Sequence, residues 1–150
     1  MKIALGSDHG GYPLKGALIP YLMERGIEVI DAGTNSSDSV DYPDFAERVG
    51  QLVVTGEADA GILICGTGIG ISIAANKIPG VRAALATDPF MARMAKEHNN
   101  ANVLVLGGRV IDEAKACELT SAWLEASFES GRHQQRLDKI TALEQKYHCR

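Results

Sequence analysis

The stretch Cys65-Gly66-Thr67-Gly68-Ile69-Gly70 carries the strongest chemical signal in the chain. Three glycines alternate behind a cysteine, so successive backbone N–H groups can turn toward one point and form an anion-binding nest. A helix opening at Ile69 would add its N-terminal partial charge to the same point. A thiol beside such a nest is favoured as the thiolate, the form that can take up a proton. The nest could equally hold a developing oxyanion, and a base next to an oxyanion cradle is what proton abstraction beside a carbonyl requires. The same cysteine also fits a plainer role as a small buried hydrophobe, and the residues alone leave both open. A dinucleotide site fits less well, because that fingerprint is G-x-G-x-x-G after a first strand.

Other ionisable groups sit at similar junctions. His98 precedes Asn99-Asn100 at the end of a helical stretch, where a histidine caps the helix C-terminus or acts as an acid–base near neutral pH. His9 follows Asp8 in the Gly-flanked segment Ser7-Asp8-His9-Gly10-Gly11 and has the same two readings. With Cys65 expected on an adjoining loop, catalysis becomes the stronger reading for both histidines. Arg132 and Arg136, four apart, share one face of a C-terminal helix beside His133 and Gln134-Gln135, and could clamp a phosphate dianion. Arg109, after Gly107-Gly108, is a third candidate. Cys117 and Cys149 have neither a nest nor an evident cationic neighbour and read as structurally incidental.

These residues must be positioned by an alternation of short apolar runs and amphipathic stretches. Strands are expected at 2–6, 27–31, 60–64, 81–86 and 102–106, each bounded by Gly, Asp or Asn, as for strands buried on both faces. Helices are expected at 12–25, 43–55, 69–77, 89–98, 112–126 and 133–147. The alternation predicts a three-layer αβα fold, a doubly wound, Rossmann-like five-stranded parallel sheet with an extra C-terminal helix. Such sheets bind ligands at the carboxyl ends of their strands, where the Asp8, Cys65 and Arg109 loops fall. The last helix follows the complete sheet, so its arginines are expected to reach toward a partner subunit. The longest loop, 31–43, is either functional or a solvated excursion.

The 150 residues predict one domain over 1–150. With 45% hydrophobic and 23% charged residues the chain reads as an ordinary globular protein. A net charge of −4, from 15 Lys and Arg against 19 Asp and Glu, leaves no basic footprint for nucleic acid or an anionic membrane. Any phosphate must be held by a few local cations. Cysteines at 65, 117 and 149 show no CxxC or Cys/His spacing, which argues against a disulfide framework and a structural zinc site. A thiol oxidoreductase would want a resolving cysteine near Cys65. The opening apolar run is too short for a signal peptide, and no stretch approaches the ~20 apolar residues of a membrane span. A cytoplasmic protein with reduced thiols is expected.

Several of these segments resemble ribose-5-phosphate isomerase B, a family of sugar-phosphate isomerases. They are Gly6-Ser7-Asp8-His9-Gly10-Gly11, Asp41-Tyr42-Pro43, the run from Ile64 to Lys77, His98-Asn99-Asn100-Ala101-Asn102-Val103 and Gly131-Arg132-His133-Gln134-Gln135-Arg136. The likeness spans the whole chain. It implies interconversion of ribose 5-phosphate and ribulose 5-phosphate with no metal or cofactor, through ring opening and a cis-enediolate. It implies a homodimer or dimer of dimers with active sites at the subunit interface. By the same likeness Cys65 is the proton-transferring base and His98 the ring-opening acid. Asp8, His9, Tyr42 and Asn99 would contact the sugar, and Thr67 with Gly66, Gly68, Ile69 and Gly70 would hold the substrate oxygens. Arg109, Arg132 and Arg136 would bind phosphate. One branch of the family replaces the cysteine with a Glu directly after the loop's last Gly; Ile71 stands there, which places the sequence in the cysteine branch. Alternatives are a relative acting on a six-carbon sugar phosphate, such as allose or galactose 6-phosphate, and a non-catalytic phosphate-ligand module.

Overall fold

The computed structural model describes residues 1–148; Cys149 lies outside them. The apolar runs become five strands: β1 (Lys2–Ser7), β2 (Glu28–Asp31), β3 (Ala60–Cys65), β4 (Ala83–Leu85) and β5 (Val103–Gly107). All pair in parallel, in the order β2-β1-β3-β5-β4. The helices are α1 (Tyr12–Glu24), α2 (Tyr42–Val54), α3 (Ile69–Ala75), α4 (Pro89–Glu97), α5 (Glu113–Glu125) and α6 (Arg132–His148).

Side chains on successive strand residues point to opposite faces, and each face has its own cover. Ile3, Leu5, Ile62, Ile64, Leu104 and Leu106 pack with Leu14, Leu18 and Leu22 of α1, Ala92 of α4, and Leu119 and Trp123 of α5. Ala4, Leu63, Cys65, Val103 and Val105 pack with Ala46 and Val49 of α2 and Ile71 and Ala75 of α3. Each large apolar side chain buried this way contributes about 1.5–3 kcal/mol, so both faces drive the three-layer arrangement.

Two elements are shorter than their apolar runs. The expected helix 69–77 stops at Ala75 because the Asn76 side chain turns to β4, donating to Ala83 O and accepting from Ala83 N, both at 2.9 Å. The expected strand 81–86 is reduced to Ala83–Leu85, since the Arg82 N–H donates to Asn102 Oδ1 at 2.7 Å and leaves the ladder. Register aligns Ser7 with Ile64 and Cys65 with Gly107, so β1, β3 and β5 end together. The chain winds outward from β1 to β2 on one side, and on the other it passes from β3 to the edge strand β4 and returns to β5 between them. The β1–β3 boundary is therefore the switch point where such sheets open a crevice.

Helix α6 follows the finished sheet and lies beside the β4 edge. Glu144 accepts from the Gly80 N–H at 3.2 Å, and a groove of about 550 Å³ runs between Leu137, Ile140 and Leu143 of α6 and Val81 and Ala83. Among the described residues no helix is long and apolar enough to cross a membrane.

Candidate active site

Cys65 is the last residue of β3, 5% exposed, and its Sγ accepts from the Gly68 N–H at 3.2 Å. That bond requires the chain to fold back over the sulfur, which Gly68 permits by taking φ 82°. The Ile69 N–H is directed to Thr67 Oγ1 at 3.2 Å. Two of the loop amides thus turn inward to Cys65 and Thr67.

Asp8 lies on the neighbouring loop, buried, with Oδ1 accepting from the Gly10 N–H at 2.8 Å and the Gly11 N–H at 3.2 Å. The two loops touch through glycine: a Cβ at Gly10 would meet Gly66 N at 2.9 Å, and one at Gly11 would collide with the Ile64 carbonyl. Arg109 closes the third side. Its N–H donates to Gly66 O at 2.9 Å, and its guanidinium lies against Gly66. The long 31–43 loop also reaches this end, because the Val40 N–H donates to His9 Nδ1 at 3.2 Å and the Tyr42 ring lies against Gly70. That contact favours the functional reading of the loop. Asp8, His9, Tyr42, Cys65, the Gly66–Gly70 loop and Arg109 therefore form one cluster at the carboxyl ends of β1, β3 and β5.

His98 and Asn99 are not in it. The expectation that His98 shares adjoining loops with Cys65 is corrected by the topology. His98 precedes β5, and in a parallel sheet a residue before a strand lies at the amino end. Gly61 pairs with Val103 there, while Cys65 pairs with Gly107 at the other end. Four strand residues of about 3.3 Å each separate the two levels by about 13 Å. Arg132 and Arg136 belong with His98, because the ring of their neighbour His133 stacks on His98. One chain thus carries a thiol, a buried carboxylate and Arg109 at one end, and His98, Asn99, Arg132 and Arg136 at the other.

The second cluster is firmly built. His98 caps α4, its N–H donating to Met94 O at 2.9 Å. Arg82 donates from Nε and Nη2 to the Asn100 carbonyl at 3.0 and 2.9 Å, and Asn100 itself holds φ 44°. The Trp123 indole donates to Ala101 O at 3.1 Å. Desolvation first, then His98 and Arg132, hold His133 below the ordinary histidine range. Burial first, then Arg82, lowers Lys96. Sequence reasoning missed Arg82 and Glu129, which approaches His98; neither lies in a recognisable motif, and only the folded loops bring them in.

The ribose/galactose isomerase family model matches residues 3–140. The chain is 52% identical to ribose-5-phosphate isomerase B of Escherichia coli over 145 residues, 97% of each protein. It superposes on Clostridium thermocellum ribose-5-phosphate isomerase B with a TM-score of 0.97, at 56% identity, covering 98% of this chain and 99% of that one. The Mycoplasma genitalium ribose-5-phosphate isomerase B solved with bound ribulose 5-phosphate gives a TM-score of 0.93 at 43% identity, covering 97% of both chains. A cysteine held by a glycine loop at the switch point of this sheet, matched over nearly the full length of these proteins, makes the chain a member of the ribose/galactose isomerase family.

Proposed function

We propose that this chain is a cytoplasmic isomerase domain interconverting ribose 5-phosphate and ribulose 5-phosphate, working as a homodimer with its sites at the subunit interface. The observation that carries the catalytic reading is Cys65 at the end of β3, its Sγ facing the Gly68 N–H beside Thr67. The partition of the acid–base groups between the two ends of the sheet supports the dimer. A two-fold axis perpendicular to the strands brings the carboxyl end of one sheet beside the amino end of its partner's. Ile69 and Ile73 of α3 and Ile140 and Leu143 of α6 are exposed apolar side chains suited to such an interface.

In this scheme Arg109 of one chain, with Arg132 and Arg136 of the other, holds the phosphate. That remote binding energy fixes the sugar for proton transfer. Asp8, His9, Tyr42 and Asn99 orient the hydroxyls; Val40 already occupies His9 Nδ1, which leaves Nε2 for the substrate. His98 gives a proton to the ring oxygen as the C1–O4 bond breaks, and the anomeric hydroxyl loses its proton as C1 becomes the aldehyde. The Cys65 thiolate then takes the C2 proton, while Thr67 and the 66–70 amides hold O1 and O2 of the cis-enediolate. The O2 proton passes to O1, and return of the abstracted proton to C1 leaves the carbonyl at C2. Side chains and backbone supply every group in the scheme, without metal or cofactor.

Solvent deuterium tests the base. In heavy water the wild type should introduce deuterium at C2 of ribose 5-phosphate, and Cys65→Ala should not, with its fold unchanged by circular dichroism. Exchange in Cys65→Ala at the wild-type rate would remove Cys65 from the role. Running allose 6-phosphate in parallel should show the pentose phosphate preferred in kcat/KM.

A further inference from the structure

His98 has two neighbours that the scheme above does not use. Its imidazole lies face to face with that of His133, ring centroids 4.1 Å apart and planes 13° from parallel. Its Nε2 is 3.5 Å from Glu129 Oε1. Three segments meet there. The Glu129 N–H donates to Glu97 O at 3.0 Å, which pins the 126–131 loop to the end of α4. Ser130 (φ 61°) and Gly131 (φ 56°) then turn the chain through left-handed conformations, so that α6 begins with His133 against His98. Such a conformation at a non-glycine residue costs on the order of 1–2 kcal/mol, and here it delivers the stacking partner.

The trio can be compared with a metal site. Ligand atoms of His98, Glu129 and His133 lie within 4.8 Å of one another. A ring nitrogen, however, directs its lone pair within the ring plane, and two near-parallel planes with centroids 4.1 Å apart share no point where one ion could lie in both. The stack immobilises one imidazole against the other instead. His133 is buried, 6% exposed, and the same desolvation that lowers its proton affinity keeps it neutral, an uncharged face for His98. Among the described residues, Arg132 and Arg136 on α6 also act on His133, and Glu97 and Lys96 precede His98 on α4. Glu97 is held by Arg93 at 3.7 Å, and Lys96 lies over the Trp123 ring at 4.5 Å. Glu129 is the carboxylate placed against His98, and it gives an imidazolium there an anionic neighbour.

We infer that Glu129 and His133 are positioning residues for His98: the stack fixes the plane of its ring, and the carboxylate fixes its rotation and balances its charge. The inference rests on the proposed role of His98 in ring opening. There the proton leaves His98 for the sugar's ring oxygen, and the electrons of the C1–O4 bond go to that oxygen. The anomeric hydroxyl gives its proton to solvent, and the imidazole regains one from solvent beside Glu129.

Ribulose 5-phosphate is the control substrate, because a C2 carbonyl with O5 esterified leaves no oxygen able to close a five-membered ring. Glu129→Gln, His133→Phe and His98→Asn are each measured in two assays: isomerisation of ribose 5-phosphate, and entry of solvent deuterium at C1 of ribulose 5-phosphate. Glu129→Gln and His133→Phe should each lose about tenfold in kcat on ribose 5-phosphate, while exchange on ribulose 5-phosphate stays within about twofold of wild type. Glu129→Gln should leave KM unchanged. Glu129→Asp should recover part of the loss. Equal losses on both substrates, or none on either, would overturn the inference, and Glu129, being exposed, keeps it testable if His133→Phe folds poorly. If His98→Asn itself depresses both reactions alike, the ring-opening role of His98 has failed, and that arm shows it whatever the other variants do.

Discussion

At the level of single residues, surroundings separate groups of the same type. Cys65 accepts an N–H from its own glycine loop, whereas Cys117 is half-buried on α5, where burial and then Glu113 push its thiol up. Two histidines divide in the same way: His98 is partly exposed beside a carboxylate, and His133 is buried under it. The second case has a consequence for stability. His133 is held below the ordinary histidine value of about 6.5, so as pH falls through that value the unfolded chain takes up a proton that the folded chain still refuses. Stability contributed by the neutral ring is therefore present above about pH 6.5 and lost as pH falls below it. Denaturant melts of the wild type at pH 7.5 and 5.5 should show this loss, and His133→Gln should narrow the difference. An unchanged difference would mean that His133 is not the group responsible.

Among the elements, the 98–102 connection depends on fixed backbone geometry more than on sequence pattern. Arg82 grips the Asn100 carbonyl with two donors, while Asn102 links Gly80 O to Arg82 N. Lysine cannot reproduce a forked contact, so Arg82→Lys should lower kcat on ribose 5-phosphate several-fold with a small change in melting temperature. Wild-type turnover in this variant would show that the loop does not need the clamp. β1, β3 and β5 were legible in the sequence because strands buried on both faces are continuously apolar and glycines follow their ends; β2 and β4 flank them and are only partly buried, against the expectation that all five are covered on both faces. The cysteine loop was legible for the same reason, being a glycine run at a strand end. The ends of α3 and β4 were not, since Asn76 and Asn102 pair with backbone distant in sequence. The separation of His98 from Cys65 was present in the strand order all along. A residue before a strand and a residue after one cannot share an end of a parallel sheet, however close their motifs look in a list of polar groups.

For the whole molecule, this separation carries the account. The chain has a net charge of −4, and two of the three proposed phosphate-binding arginines stand at the sheet end opposite Cys65. A site that needs Cys65, His98 and all three arginines must then be completed by a second copy. Mixing two inactive variants measures this directly. In a mixed dimer of Cys65→Ala with His98→Asn, one site carries both lesions and the other carries neither. With random exchange about half the dimers are mixed, and each has one good site of two, so activity should recover to about a quarter of wild type. Confirmed subunit exchange with no recovery would mean that Cys65 and His98 act from the same chain, and the shared site would be contradicted.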